Sequence, residues 1–179
     1  ELIRRGCKVI RVPGSTTAEE VLAYNPNGIM LSNGPGDPSE NTAIINELQK
    51  IADCGVPVFG ICLGHQLMAL AMGAKTEKLH YGHRGANQPV KEIATGRVFI
   101  TTQNHGYAVV SDSLPEGAVL SYANANDGTC EGVNYTGRPI FPVQFHPEAC
   151  GGPLDTRFLF DKFIDLIDAH KGSKEAKGA

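Results

Sequence analysis

Val56-Pro-Val-Phe-Gly-Ile-Cys-Leu-Gly-His-Gln-Leu-Met-Ala-Leu-Ala-Met-Gly73 changes its periodicity at a single residue, Cys62. Before it, Val56, Val58, Phe59 and Ile61 form a nearly continuous apolar run with β-branched members, the pattern of a strand buried on both faces. After it, Leu63, Leu67, Leu70 and Ala71 recur at helical spacing, and Gly73 stands where a helix-terminating glycine belongs. The join, Gly60-Ile-Cys-Leu-Gly64, places a nucleophile between two glycines on a strand-to-helix turn. This is the cysteine form of a nucleophile elbow.

The turn has a chemical use. A side chain on so sharp a bend projects from the end of the sheet, and small flanking residues let neighbouring backbone come close. The first amides of the following helix point to the same place, so the Leu63 N–H is available to an oxyanion and the helix N-terminus favours a thiolate at Cys62. Most free cysteines are simply buried. The flanking glycines and the strand–helix join set this one apart.

From Cys62 outward, the chain reads as an alternation. Lys8–Val12 predicts a strand, and Thr17-Ala-Glu-Glu20 a capping box that opens a helix to about Tyr24. Gly28–Ser32 predicts a second buried strand, ending in Asn33-Gly-Pro-Gly-Asp-Pro38, which no regular element passes through. Ile44, Ile45, Leu48 and Ile51 mark one face of a helix from Thr42 to Asp53. Alternating strands and helices with short connections imply a parallel sheet covered by helices, and place Gly34, Gly36 and Cys62 at the C-terminal ends of strands, where such sheets bind ligands.

Beyond Gly73 the pattern becomes β-rich. Segments near 74–80, 90–93, 98–102, 107–110, 119–123, 132–135 and 140–144 predict short, mostly antiparallel strands. Some extend the sheet and the others form a small ribbon. Phe158, Leu159, Phe163, Leu166 and Ile167 predict an amphipathic helix from about Thr156 to His170, and residues 171–179 a frayed polar tail.

The composition excludes several classes. With 179 residues, 41% hydrophobic and 20% charged, the chain is long enough for one ordinary domain with a full core. A net charge of −3, no tryptophan and 7% aromatics supply neither the basic footprint nor the stacking surface of a nucleic-acid binder. No apolar run is long enough to span a membrane and no signal peptide is visible, so a cytoplasmic protein is expected. Five cysteines without regular spacing and without a C-x-x-C pair argue against a disulfide framework or a zinc ribbon. Leu2–Gly6 reads as the end of a helix, so a segment upstream is expected.

Of six histidines, His146 suits Cys62 best. The run Ile140-Phe-Pro-Val-Gln-Phe145 delivers it to a turn, and Pro147-Glu148 places a carboxylate close by on a stiffened chain, able to fix the imidazole tautomer and stabilise its charged form. His65 reads as a packing group. Gln66, four residues after Cys62, shares its helical face. His105 lies in Gln103-Asn-His-Gly-Tyr107, a polar turn suited to polar ligand groups. His80 and His83 sit in a glycine-rich loop and receive no catalytic role. A metal site from Cys62, His146 and Cys150 lacks a recognised ligand spacing.

Gly60-Ile-Cys-Leu-Gly-His-Gln66 together with His146-Pro-Glu148 resembles the class I (triad) glutamine amidotransferases. Leu31-Ser-Asn-Gly-Pro-Gly-Asp-Pro38, Gly82-His-Arg-Gly-Ala-Asn-Gln-Pro-Val90 and Gln103-Asn-His-Gly-Tyr-Ala-Val109 are similar to the carbamoyl-phosphate synthase small-subunit group of that family. The resemblance implies an amidotransferase-like α/β domain over residues 1–170. It also implies hydrolysis of L-glutamine to glutamate and ammonia through a thioester on Cys62, with His146 as acid–base and Glu148 as its orienter. Gly34, Gly36, Leu63, Gln66, Asn104, Gly106 and Tyr107 would hold the glutamine and the oxyanion. By the same resemblance ammonia passes to a large synthetase subunit that makes carbamoyl phosphate for arginine and pyrimidine synthesis. ATP and Mg would reside there, with no cofactor or metal in this chain.

Three departures accompany the resemblance. The family's opening strand and most of the helix after it are absent, as are the small subunit's N-terminal domain and its glutamine-binding serine. Glu148-Ala-Cys-Gly-Gly-Pro153 also differs from the family's Glu-Ala-Ser-Pro-Gly-Pro, and a Cys150 thiol is a weaker hydrogen-bond partner than a hydroxyl. Two alternatives keep part of this reading. One retains the triad with another acceptor synthetase (anthranilate, aminodeoxychorismate or GMP synthesis); the other is a catalytically silent, truncated binding subunit.

Overall fold

Val58 and Phe59 are both wholly shielded from solvent, which requires cover on both faces of the strand that carries them. A computed structural model of the protein describes the backbone of residues 1–178 and the side-chain surroundings of residues 1–173. Ile29–Leu31 (β1) pairs in parallel with Val58–Gly60 (β2), Leu31 opposite Gly60. The other edge of β2 is taken by residues 139–143: Val58 N–H donates to Pro139 O at 2.9 Å and Val143 N–H to Gly60 O at 2.8 Å.

Helices close both faces of this core. Ala18–Ala23 (α1) opens on the expected capping box, with the Thr17 hydroxyl and the Glu20 carboxylate each accepting the other's backbone N–H. Thr42–Ala52 (α2) buries Leu48 and Ile51. Leu63–Ala71 (α3) is buried almost all round and stops at Gly73, at φ +94°. Phe59 stacks on Phe141 with ring centroids 4.7 Å apart and meets Phe160 edge-on at 5.5 Å. Phe160 belongs to Phe158–Gly178 (α4), which covers the opposite face. The helix backbone continues through the stretch expected as a frayed tail; the side chains after residue 173, and Ala179 altogether, lie outside the described residues.

No strand forms over Lys8–Val12. The segment is irregular, with Val9 and Ile10 about half exposed, because no neighbouring strand among the described residues supplies it with a ladder.

The antiparallel part is larger than a small ribbon. Thr76–Glu92 (β3), Val98–Val109 (β4), Ala118–Asn124 (β5) and Cys130–Tyr135 (β6) close on one another in the order β3–β4–β6–β5. The glycine-rich loop at 80–83 and the polar turn at 103–107 are in fact inside β3 and β4. Gly82 (φ +71°) and Gly85 (φ +131°) fall where the β3–β4 register shifts, so these glycines mark bulges in long strands rather than the ends of short ones.

Residues 139–144 are the seam between the two sheets. Along one edge they pair with β2; along the other, Gln144 N–H donates to Glu131 O at 2.9 Å and Val133 N–H to Pro142 O at 3.2 Å. Pro142 is tolerated because its missing donor faces only the sparsely bonded β6 side. Phe145 and His146 follow directly, so this seam carries the histidine to the end of β2.

Candidate active site

Cys62 sits at φ 53°, ψ −104°, outside the regions that non-glycine residues ordinarily adopt. Hydrogen bonds hold it there on both sides. Its N–H donates to Val143 O at 2.9 Å, and its carbonyl accepts from His65 N–H at 3.1 Å and Gln66 N–H at 3.2 Å. The two glycines are needed for close approach: a Cβ on Gly60 would lie 2.9 Å from the Gly64 carbonyl, and one on Gly64 would lie 2.5 Å from Leu31 O. The elbow is as the sequence predicts, and Leu63 contributes the first amide of α3.

His146 is fixed by its own backbone, whose N–H donates to Thr102 O at 2.9 Å, and by its Nδ1, 2.8 Å from Glu148 Oε1. Its imidazole is pushed up to about 10, first by a hydrogen bond with Cys62 and then by Glu148, against the opposing effect of burial. With Nδ1 committed to Glu148, Nε2 is the nitrogen left for the sulfur. The structure thus brings Cys62, His146 and Glu148 into one line of contacts.

A side chain missed by the sequence reading completes the surroundings of the sulfur. Gln144 is wholly buried, and its Nε2 lies 3.5 Å from Cys62 Sγ. Gln66 fixes its orientation by donating Nε2 to Gln144 Oε1 at 2.9 Å, and the same Nε2 donates to Tyr107 O at 2.7 Å. A buried amide in the apolar run 140–145 was the available signal. Its target was not legible, because the target lies on another element.

Beside Cys62 opens a cleft of roughly 580 Å³, lined by Asn33, Gly34, Pro35, Arg84, Thr102, Asn104, His105, Gly106, His146 and Ala149. Gly34, Asn104 and Gly106 thus line the cleft beside Cys62. Gly34 approaches α3 so closely that a Cβ would meet Leu63 Cδ2 at 2.7 Å. Gly36, Gln66 and Tyr107 do not line the cleft, and Leu63, whose side chain packs against the cleft-lining Gly34, can offer it only a backbone amide, the first of α3. Gly36 is an exposed turn residue at φ +99°. Gln66 acts on the site through Gln144 and the Tyr107 carbonyl. Tyr107 turns its phenol to Asp37, and its ionisation is pushed up first by burial and then by that carboxylate.

The remaining groups have other surroundings. His65 is wholly buried, its Nε2 4.0 Å from Cys130 Sγ, and burial pushes its ionisation down to about 3, as suits a packing residue. Cys150 has no hydrogen bond to Cys62 or His146 among those of the described residues. It is exposed, with its Sγ donating to Glu148 O at 3.7 Å and accepting from Arg157 Nη2 at 3.4 Å. The neighbouring Gly152 has no room for a side chain, since a Cβ would lie 2.9 Å from Ala86 Cβ and Thr102 Oγ1.

Comparison with known proteins agrees with this geometry. The model of the family "Glutamine amidotransferase class-I" matches residues 1–166. The carbamoyl phosphate synthase small chain of Symbiobacterium thermophilum is 53% identical over 94% of this chain and 47% of its own length. That of Fusobacterium nucleatum is 57% identical over the same shares. The chain thus spans about half the length of these relatives. Among solved structures, a putative GMP synthase component from Thermoplasma acidophilum superposes with a TM-score of 0.79 at 25% identity, covering 92% of this chain and 83% of its own. A glutamine amidotransferase from Thermotoga maritima shares the fold, with a TM-score of 0.59 at 20% identity over 97% of this chain and 70% of its own. With the family match extending over nearly all of its length and the elbow, histidine and glutamate in contact, the chain belongs to the class I glutamine amidotransferase family.

Proposed function

We propose that this chain is the glutamine-hydrolysing part of a carbamoyl phosphate synthase. The observation that carries the reading is the contact of Cys62, held in a strained elbow, with an imidazole that Glu148 orients. Cys62 Sγ, as thiolate, attacks the carboxamide carbon of L-glutamine, and the carbonyl oxygen becomes an oxyanion facing the Leu63 amide and the Gly34 backbone. The tetrahedral adduct collapses as His146 Nε2 gives its proton to the departing nitrogen, and ammonia leaves a thioester. Water, deprotonated by His146, then attacks the thioester carbon and releases glutamate and the Cys62 thiolate. Glu148 keeps the imidazole in the tautomer both steps need. Asn104 and Gly106 line the cleft where the amino-acid end of glutamine would sit.

The small-chain names of the relatives at 51–57% identity support a partnership with a large synthetase chain, where ATP and Mg would act. They favour this acceptor over GMP synthesis, whose structural representative stands at 25%. The cytoplasm, where ATP and glutamine are both supplied, is the place of action in this reading. None of the described helices is long and apolar enough to cross a membrane.

The test is glutamate release from glutamine by the purified chain, with and without a carbamoyl phosphate synthase large subunit, using Cys62→Ala as the blank. Release that vanishes in the blank and rises with the large subunit is expected. Equal release by the blank would overturn the cysteine mechanism, and no response to the large subunit would overturn the partner.

A further inference from the structure

Behind the cleft wall, four hydrogen-bond acceptors converge, with Asn124 Nδ2 donating to one of them, Glu131 Oε1, from the side at 3.4 Å. His83 Nδ1 lies 3.2 Å from His105 Nε2 and 3.3 Å from Glu131 Oε1, and His105 Nε2 lies 3.0 Å from Gln103 Oε1. The far side of each ring is already engaged with an acceptor: His83 Nε2 with Asp127 Oδ2 at 2.8 Å, and His105 Nδ1 with Tyr107 O at 2.8 Å. A carboxylate and a carbonyl both demand N–H there, so each neutral ring turns its lone pair inward. Gln103 is equally fixed. Its Nε2 donates to Thr101 Oγ1 at 3.2 Å, whose hydroxyl donates to Gln88 O at 2.9 Å, leaving Oε1 to face His105.

Glu131 supplies a second, independent observation. It is wholly buried, and its Oε2 has no hydrogen-bond partner. A proton on His83 Nδ1 serves Glu131 Oε1 but leaves His105 Nε2 facing Gln103 Oε1. A cation answers all of them.

We infer that His83, His105 and Glu131, with Gln103 as fourth ligand, form a binding site for a divalent transition metal of the zinc class. Ligand atoms about 2.0–2.1 Å from a tetrahedral zinc stand roughly 3.3 Å apart, close to the 3.2 and 3.3 Å separations that His83 Nδ1 makes, while the third pair, within 4.8 Å, closes toward that spacing when an ion binds. Two imidazoles and a carboxylate are a zinc donor set, and Asp127 and the Tyr107 carbonyl are the outer acceptors that such imidazoles use. His105 also lines the cleft, which gives an ion its way in. Once bound, the ion locks His105 and, through the shared Tyr107 carbonyl, the Gln66–Gln144 pair that leads to Cys62.

The test uses the full chain, stripped with a chelator and titrated with Zn²⁺ by calorimetry and with Co²⁺ by visible absorption. Cys62→Ser and Cys150→Ser variants separate the cleft and surface thiols. Expected are about one equivalent bound, cobalt bands without thiolate charge transfer, binding retained in both cysteine variants, and at least tenfold weaker binding in Glu131→Gln. His83→Asn, checked for folding by circular dichroism, should lose affinity likewise. Absence of stoichiometric binding, binding unchanged by Glu131→Gln, or binding lost with Cys62→Ser would each overturn the site.

Discussion

Gln144 donates its buried side-chain amide to the sulfur of Cys62 across 3.5 Å, two positions before the histidine that contacts the same sulfur. A hydrogen bond to an ionised sulfur stabilises it relative to the thiol. Gln144→Leu should therefore slow alkylation of Cys62 by iodoacetamide at neutral pH, with glutaminase kcat down roughly tenfold. An unchanged alkylation profile would show that the amide only fills space.

Glu148 Oε1 lies 2.8 Å from His146 Nδ1. Glu148→Gln should keep the fold and lower kcat roughly tenfold to a hundredfold, with KM for glutamine little affected. Wild-type turnover in this variant would remove Glu148 from the mechanism.

Gly64 packs on the backbone of β1, and a Cβ there would lie 2.5 Å from Leu31 O and 2.7 Å from Leu31 Cβ. Gly64→Ala should cost about 1–3 kcal/mol of stability and displace the elbow, while Gly151→Ala, in open space at an ordinary φ, should be neutral. Chemical denaturation of the two variants side by side checks this; equal midpoints would mean the elbow yields at little cost.

In the metal-free chain the histidines divide stability into two pH ranges. Burial holds His65 down to about 3 and His105 down to about 4, so below the ordinary value of 6.5 the unfolded chain takes up protons that these two refuse. Stability is full above that value and should fall as pH drops towards 4, by about 1.4 kcal/mol per pH unit for each group. His83 and His146 are shifted the other way, to about 9 and about 10. Their contribution is complete below 6.5 and is lost as pH rises towards those values. Denaturation midpoints from pH 4 to 10 should peak near neutrality, and a flat profile would overturn the assignment.

What the residues alone determined lies within single elements. The elbow follows from a change of periodicity at Cys62, α1 from its capping box, and the His146–Glu148 pair from a proline between them, because each is decided by a few consecutive residues. The division of β3 and β4 into short strands failed for a related reason. Gly82 and Gly85 have the backbone freedom of turn residues, and only the partner strand reveals that they are bulges. Whether Lys8–Val12 becomes a strand also depends on a neighbour that its own sequence does not contain.

The tertiary structure decided what lies between elements. Residues 139–144 bond to β2 on one edge and β6 on the other, which brings His146 and Gln144 to Cys62, and no local pattern encodes such a seam. The meeting of His83 and His105 with Glu131 likewise arises where β3, β4 and β6 come together. Periodicity reports which face of an element is apolar; which side chains meet across that face is set by pairing register and packing, which depend on the whole chain.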